Sequence, residues 1–295
     1  MRVLLATDGS KDACAAAEYL KHFPLPGDAA IRVMTVVTLP PSALDVPPVA
    51  AFNESLLAEG RRVVGEACAL LGPRAAVEER VVQGNPKEEI VRAAEEWPAD
   101  LVVVGGRGLG GVRGFLLGSV SQTVARHVHC PVLVVKGRAR ALASVLIATD
   151  GSDGANEAIR FLLSLPFPPA KKVRVRLLSA VEPTPYPASA PKLIRAQLKG
   201  MIAQLERERR ADVEKVLDRA ARELKAKVTR LTRSMPTGHP AREIVAAAAS
   251  CDADLVVVGA RGLGGMKRLL LGSVSERVLH DARCPVLIVK GTSRT

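Results

Sequence analysis

The sequence has 295 residues, a formal net charge of +12 and an aromatic content of only 3%. This length suits two domains of ordinary size, whose cores must be built from Leu, Val, Ile and Ala. Five scattered cysteines without a C-x2-C pair argue against a disulfide framework or a zinc site and favour a reducing cytoplasm.

The first half of the chain alternates predicted strands with predicted helices. Its opening apolar run meets Asp8 after too few residues for a signal peptide, so it predicts a strand instead. The predicted strands are 2–7, 31–37, 77–83, 100–104 and 132–135, with helices at about 12–22, 51–71 and 86–97 and another after residue 118. A Pro-rich connection at 39–48 is expected on the surface. Strands that alternate with helices predict parallel βαβ units.

The second half repeats this order. Its predicted strands are 144–149, 173–181, 227–234, 254–258 and 286–289, with helices at about 153–164, 191–225 and 240–250. The helix at 191–225 is about ten residues longer than its counterpart, and its mixed charges favour an exposed, salt-bridged face. A second Pro-rich connection covers 182–191. A short linker, 137–143, separates the two domains that we predict, residues 1–137 and 144–291.

The most informative motif occurs once in each half. Gly105-Gly106-Arg107-Gly108 is followed after nine residues by Gly118-Ser119-Val120-Ser121, and Gly259-Ala260-Arg261-Gly262 is followed after the same interval by Gly272-Ser273-Val274-Ser275. Each motif follows an apolar run that is typical of a strand buried on both faces of a parallel sheet. Its glycines permit tight turns, and the Gly-Ser pair opens a helix whose free N–H groups favour phosphate. The repeat therefore predicts two nucleotide sites.

This G-x2-G-x9-G-[ST] pattern resembles the ATP-binding signature of the universal stress protein family, and the resemblance covers nearly the whole chain as two tandem copies. It implies an α/β fold with two tandem open, mostly parallel sheets of about five strands, flanked by helices, Rossmann-like and similar to adenine nucleotide alpha hydrolases. It also implies ATP, with or without Mg²⁺, held between the ends of the first and fourth strands. Finally, it implies that the copies dock through strands 132–135 and 286–289, so that one chain forms a built-in pseudo-dimer; a homodimer of such chains stays open.

The resemblance places candidate ATP-binding residues in both halves. In the first half they are Thr7, Asp8, Val36, Val104, Gly105, Arg107, Gly108, Gly118, Ser119, Val120 and Ser121. In the second half they are Thr149, Asp150, Ala180, Val258, Gly259, Arg261, Gly262, Gly272, Ser273, Val274 and Ser275. The first three of each set should border the adenosine, the loop glycines should let the nucleotide approach the backbone, and the Gly-Ser-Val-Ser segment should donate to the phosphates. The two arginines either add charge to the phosphates or point to solvent.

Other interpretations of these residues stay open. Asp8 is also placed for a helix N-cap or an Asx turn, and Ser119 for an N-cap. Gly106-x-Gly108-x-x-Gly111 spells the dinucleotide fingerprint, but that pattern belongs in the first strand–helix turn of a Rossmann unit, whereas here it follows the fourth strand. The Walker A sequence is absent.

Three functions are compatible with the sequence. The first is ATP binding without efficient turnover, as in a stress-response or regulatory sensor, because no second carboxylate repeats beside either loop. The second is a slow ATPase or phosphotransfer enzyme in which Asp8 and Asp150 hold Mg²⁺. The third, a nucleic-acid-associated protein, follows from the charge of +12, but the few aromatic residues offer no stacking surface, so nucleic acid is not an expected partner. No uncharged apolar run approaches the roughly 20 residues of a membrane span, so we expect a cytoplasmic protein without a membrane partner.

Overall fold

Two equivalent sets of strands and helices make up the chain. A computed structural model describes residues 1–39, 47–72, 76–109, 117–137, 140–166, 173–184, 192–228, 230–263 and 271–291. The first set is β1 (Arg2–Ala6), α1 (Lys11–His22), β2 (Ala30–Val37), α2 (Pro47–Leu71), β3 (Val77–Gln83), α3 (Pro86–Glu96), β4 (Leu101–Gly105), α4 (Ser119–His127) and β5 (Val132–Val135). The second set is β6 (Ser144–Ala148), α5 (Asp153–Ser164), β7 (Arg174–Leu178), α6 (Lys192–Lys225), β8 (Arg230–Ser234), α7 (Pro240–Ser250), β9 (Leu255–Gly259), α8 (Ser273–Asp281) and β10 (Val286–Val289).

The ends of the helices follow local sequence chemistry. Helix α3 begins with Pro86 after the N-cap Asn85, whose side chain accepts the N–H of Lys87. Helix α2 begins at Pro47, earlier than the predicted residue 51, because Pro is compatible with a first helical turn. Helix α6 extends over 34 residues, which confirms the longer helix of the second half. Much of the two Pro-rich connections, namely 40–46 and 185–191, lies outside the described residues.

A single ten-stranded sheet runs through the molecule, in the order β3-β2-β1-β4-β5-β10-β9-β6-β7-β8. The expectation of two separate five-stranded sheets is therefore corrected. Strands within each half are parallel, and the halves join where β5 pairs with β10 in antiparallel orientation, with Leu133 opposite Leu287. Docking through these two strands is as predicted. The pairing makes the sheet continuous, because it covers two apolar edges that would otherwise be exposed.

The sheet is buried on both faces, as the apolar runs predict. In β4, Leu101 and Val103 belong to the core cluster that includes side chains of α1 and α2, whereas Val102 and Val104 belong to the cluster that includes side chains of α3 and α4. Burying each such side chain contributes roughly 1.5–3 kcal/mol. The strand order reverses between β1 and β4, which are hydrogen-bonded neighbours. In sheets of this kind, a crevice that accommodates ligands opens at the carboxyl ends of the two strands where the order reverses.

Two buried lysines link the halves at the ends of the central strands. Lys136, directly after β5, donates from Nζ to carbonyl oxygens at the end of α8, including that of Ala282 at 3.0 Å. Lys290, directly after β10, donates in the same way to the end of α4, including the carbonyl of Arg126 at 3.1 Å. The last carbonyls of a helix lack partners within the helix, and its C-terminus favours cations. Each lysine therefore caps the last helix of the opposite half.

Replacing Lys136 or Lys290 by Met should lower the free energy of unfolding by about 2–4 kcal/mol, because buried carbonyl groups then lose their donors. Urea unfolding followed by circular dichroism measures the change. The control is Lys199→Met on an exposed position of α6, which should change stability by less than about 0.5 kcal/mol. If Lys136→Met proved as stable as this control, the capping role would be wrong.

The same lysines make stability depend on pH. Burial lowers the pKa of Lys136 and of Lys290 to about 8, whereas an unfolded lysine titrates near about 10.4. Between these values the unfolded chain binds more protons than the folded one, so the contribution of each lysine to stability increases with pH, by at most about 1.4 kcal/mol per pH unit. The difference in unfolding free energy between the wild type and the double variant Lys136→Met/Lys290→Met should rise across this window. Below pH 7 both states are protonated and the difference should be flat; a constant difference up to pH 10 would contradict the shift.

Candidate nucleotide-binding site

A carboxylate at the end of the first strand anchors the signature loop in each half. Asp8 Oδ1 accepts the N–H of Ser10 at 3.0 Å, and its Oδ2 accepts the N–H of Leu109 in the loop at 2.9 Å. Asp150 makes the two equivalent contacts at 3.0 Å each. The first contact is the Asx turn that the sequence leaves open. The second ties this turn to the loop that follows β4.

Ser10 and Ser152 belong to the same network, although they are absent from the predicted site. The Oγ of Ser10 accepts the N–H of Ala13 at 3.4 Å, so Ser10, rather than Asp8, is the N-cap of α1. The same Oγ donates to the carbonyl oxygen of Arg107 at 3.0 Å. Ser152 donates to Arg261 at 3.2 Å. The Asp-Gly-Ser tripeptide that occurs at both first turns is the sequence signal for this role.

The loop glycines are required by contacts inside the protein. A Cβ at Gly105 would lie 2.6 Å from the backbone of α1, so glycine lets this helix approach β4 closely. A Cβ at Gly108 would lie 2.5 Å from the carboxylate of Asp8 and would displace the anchor. The equivalent distances at Gly259 and Gly262 are both 2.4 Å. These positions therefore need glycine whether or not a nucleotide binds. The predicted role of the loop glycines, close approach of a nucleotide to the backbone, does not include these contacts.

The helices that follow the loops begin without a side-chain cap. Gly118 is the N-cap of α4 and Gly272 that of α8, so Ser119 is the first helical residue rather than the cap. Ser119 and Ser273 are exposed, and their hydroxyl groups have no hydrogen bond within the described part of the protein. The next residue of the predicted site in each half, Val120 or Val274, is half-buried and packs partly against the core. The first-turn N–H groups beside the loop are thus placed to donate hydrogen bonds to an anion.

Ser121 and Ser275 differ from their predicted role as hydroxyl donors to phosphate. Both are buried. The Ser121 Oγ lies 2.9 Å from the carbonyl oxygens of Gly106 and Gly118, one in the loop and one in its own helix. The single hydroxyl proton is used within these contacts, so the side chain braces the loop and does not face a ligand. Ser275 makes the same pair of contacts at 2.8 and 2.9 Å.

The residues expected beside the adenosine lie at the ends of the first and second strands. Thr7 and Thr149 are buried, and each accepts, through Oγ1, the N–H of the glycine two residues on at 3.2 Å. The backbone N–H of each threonine donates to a carbonyl oxygen at the end of the second strand. That carbonyl belongs to the residue two positions before Val36 in the first half and before Ala180 in the second. Val36 and Ala180 are therefore structurally equivalent. Two further candidates are 3% exposed and have their side chains in the core: Val104 and Val258.

The two signature arginines have different surroundings. The Nε of Arg107 lies 3.0 Å from Oδ2 of Asp12 in the first turn of α1. The side chain is half exposed, so it points partly to solvent while it pairs with Asp12. Arg261 is exposed and forms no ion pair with the described residues.

Asp8 and Asp150 are the predicted ligands for Mg²⁺. Each of their carboxylate oxygens already accepts a backbone N–H. The part of the chain that the structure describes contains no group of three or more His, Cys, Asp or Glu able to hold a metal ion. Mg²⁺ at either aspartate would need most of its ligands from nucleotide phosphates and water, which is how this ion commonly binds with nucleotides. None of the described helices is both long and apolar enough to span a bilayer.

Fold and site together define a tandem α/β protein with one glycine-rich loop beside a helix start in each half. A model of the universal stress protein family matches residues 1–136 and, a second time, residues 143–290. The chain therefore belongs to the universal stress protein family.

Relatives in this family match most of the chain. Universal stress protein Rv2005c of Mycobacterium tuberculosis is 29% identical over 315 residues, which cover 98% of this chain and 96% of the relative. Universal stress protein Rv2623 of the same species is 31% identical over 245 residues, covering 80% of this chain and 75% of the relative. A crystal structure of a universal stress protein from Archaeoglobus fulgidus matches with a TM-score of 0.60 at 23% identity, over 100% of this chain and 97% of that one. This likeness confirms the fold.

Gly105→Ala should lower the free energy of unfolding by about 3 kcal/mol, because the added methyl group meets the backbone of α1, which cannot move without disturbing the core. Gly65→Ala in α2 is the control. A Cβ at this position would meet nothing within 4 Å, so we expect a change below about 1 kcal/mol. The melting temperatures of both variants, measured by thermal unfolding, compare their stability. Equal melting temperatures would show that the close approach of α1 to β4 does not require Gly105.

Proposed function

We propose that this chain is an ATP-binding regulatory protein of the stress response, with one nucleotide site in each half. One repeated observation carries the proposal: an uncapped helix start adjoins a braced glycine loop at the crevice where the strand order reverses. Gly118 N–H donates to the carbonyl of Gly106 at 2.7 Å, and Gly272 N–H donates to that of Ala260 at the same distance. Membership of the universal stress protein family supports the nucleotide and the regulatory role.

Within each site, we assign separate parts of the nucleotide to separate elements. The phosphates bind the free first-turn N–H groups of α4 or α8 and the exposed hydroxyl of Ser119 or Ser273. The adenosine lies toward the end of the first two strands, beside Thr7 and Val36 in one half and Thr149 and Ala180 in the other. Mg²⁺, where it accompanies ATP, is held mainly by the phosphates.

Binding is favoured over hydrolysis by the position of the two aspartates. A catalytic base has to reach the attacking water. Asp8 accepts N–H groups with both oxygens and holds the loop, and Asp150 does the same. Both carboxylates therefore maintain the conformation of the loop. A regulatory protein that senses ATP needs this shape but does not need turnover.

Calorimetric titration of ATP with Mg²⁺ into nucleotide-free protein tests the proposal, with AMP and NADH as comparison ligands. We expect two ATP molecules per chain, since both halves carry the complete loop and helix start. Folded, nucleotide-free protein that binds no ATP would refute the proposed function.

Gly118→Asp and Gly272→Asp locate the two sites. Aspartate is a favourable N-cap residue, so the helix should remain formed. Its carboxylate competes for the N–H groups that we assign to phosphate and repels the anion. Each variant should bind one ATP molecule fewer, and the double variant none. Gly27→Asp is the control for added negative charge and should keep both sites, because Gly27 is exposed before β2, at the amino ends of the strands, and an added Cβ would meet nothing within 4 Å. Unchanged binding in the double variant would place the nucleotide elsewhere.

A further inference from the structure

The two halves differ in charge beside otherwise equivalent loops. Asp12 and Gly154 both lie two residues after the N-cap serine of their helix, and Arg107 and Arg261 occupy the same place in the signature. In the first half the guanidinium of Arg107 contacts both carboxylate oxygens of Asp12, with Nε–Oδ2 3.0 Å and Nη2–Oδ1 3.4 Å. In the second half Gly154 offers no carboxylate.

Arg107 is held in place by the environment of Asp12. The Asp12 side chain is only 7% exposed, whereas that of Arg107 is 51% exposed. If Arg107 turned away to meet a ligand, it would leave a buried carboxylate without its cation, which is unfavourable. Asp12 therefore neutralises the positive charge of Arg107 within the protein. The carboxylate also adds a negative charge beside the loop, since a Cβ at Gly106 would lie 3.5 Å from Asp12 Oδ2.

Arg261 remains available to a ligand at the start of α8. A Cβ at the N-cap Gly272 would lie 3.6 Å from the Cα of Arg261, so this arginine adjoins the first turn of the helix. Its side chain is exposed and has no ion pair or side-chain hydrogen bond with the described residues.

We infer that Arg261 makes the second-half site selective for highly phosphorylated nucleotides, preferring a nucleoside triphosphate to a monophosphate more strongly than the first-half site does. The inference rests on the proposed function, because it concerns the same two sites. A guanidinium forms charge-assisted, often bidentate hydrogen bonds to phosphate, and each added phosphate increases the attraction. At the first-half site, Asp12 occupies the guanidinium of Arg107, and its carboxylate repels the negative charge of the added phosphates.

Affinities for ATP and AMP, measured by calorimetry on each site alone, test the inference. Gly118→Asp leaves the second-half site, and Gly272→Asp leaves the first-half site. The ratio of ATP to AMP affinity should be about 5- to 10-fold larger at the second-half site. In the Gly118→Asp protein, Arg261→Gln should lower ATP affinity by about the same factor and change AMP affinity much less.

The double variant Asp12→Asn/Arg107→Gln in the Gly272→Asp protein is the matched comparison, because it removes the arginine from the same signature position together with the carboxylate that neutralises it. It should change ATP affinity by less than about 2-fold, since the pair that it removes carries no net charge. Asp12→Asn in the same background should raise ATP affinity several-fold, because it frees Arg107 and removes the repelling charge. Circular dichroism melting of each variant confirms that it is folded.

The outcomes separate this inference from the function on which it rests. Two ATP molecules per chain with equal ATP-to-AMP ratios, or equal losses in Asp12→Asn/Arg107→Gln and Arg261→Gln, would overturn the inference and leave the proposed function standing. No ATP binding to the folded wild type would overturn both. Retention of the larger ratio in Arg261→Gln would show that another group provides the selectivity, and would also overturn the assignment.

Discussion

The antiparallel pairing of β5 with β10, reinforced by two buried lysines, is the constraint on which the rest of the molecule depends. It removes two apolar sheet edges and joins both halves into one sheet. The same contact sets Lys136 against the end of α8 and Lys290 against the end of α4. Because the other ends of these helices carry the proposed phosphate sites, each site depends on a helix whose far end is held by the opposite half.

Within each half, the shape of the signature loop is set by three neighbouring elements. The turn after β1 holds it through Asp8 and Ser10, helix α4 holds it through Ser121, and β5 holds it where Gly106 N–H donates to the carbonyl of Val135 at 2.7 Å. All of these bonds go to the main chain, so they define the loop without using its side chains. A loop ordered in this way has less conformational freedom to lose when it binds a ligand.

Much of the fold could be predicted because it depends on local or repeated patterns. The apolar run at 101–104, bounded by Asp100 and Gly105, predicts a buried strand, and its recurrence at 255–258 predicts a second copy. The roles of Gly105, Ser121 and Lys136 could not be predicted, since each depends on close approach to an element far away in sequence. A lysine after a strand is usually exposed, and nothing near Lys136 in the sequence indicates that it reaches α8. Similarly, the sequence contains Asp12 and Arg107 but does not show that they touch.

The covalent joining of the two halves has a consequence for how they diverge. At the interface, Gln122 of α4 lies 3.4 Å from Glu276 of α8, and Arg126 forms an ion pair with the same glutamate. In a dimer of identical second halves, two-fold symmetry would bring Glu276 opposite a second Glu276, and the like charges would repel. Duplication within one chain removes the requirement for a self-complementary surface. Each half can then acquire residues that suit only the other, so that the first half recognises the second in preference to a copy of itself.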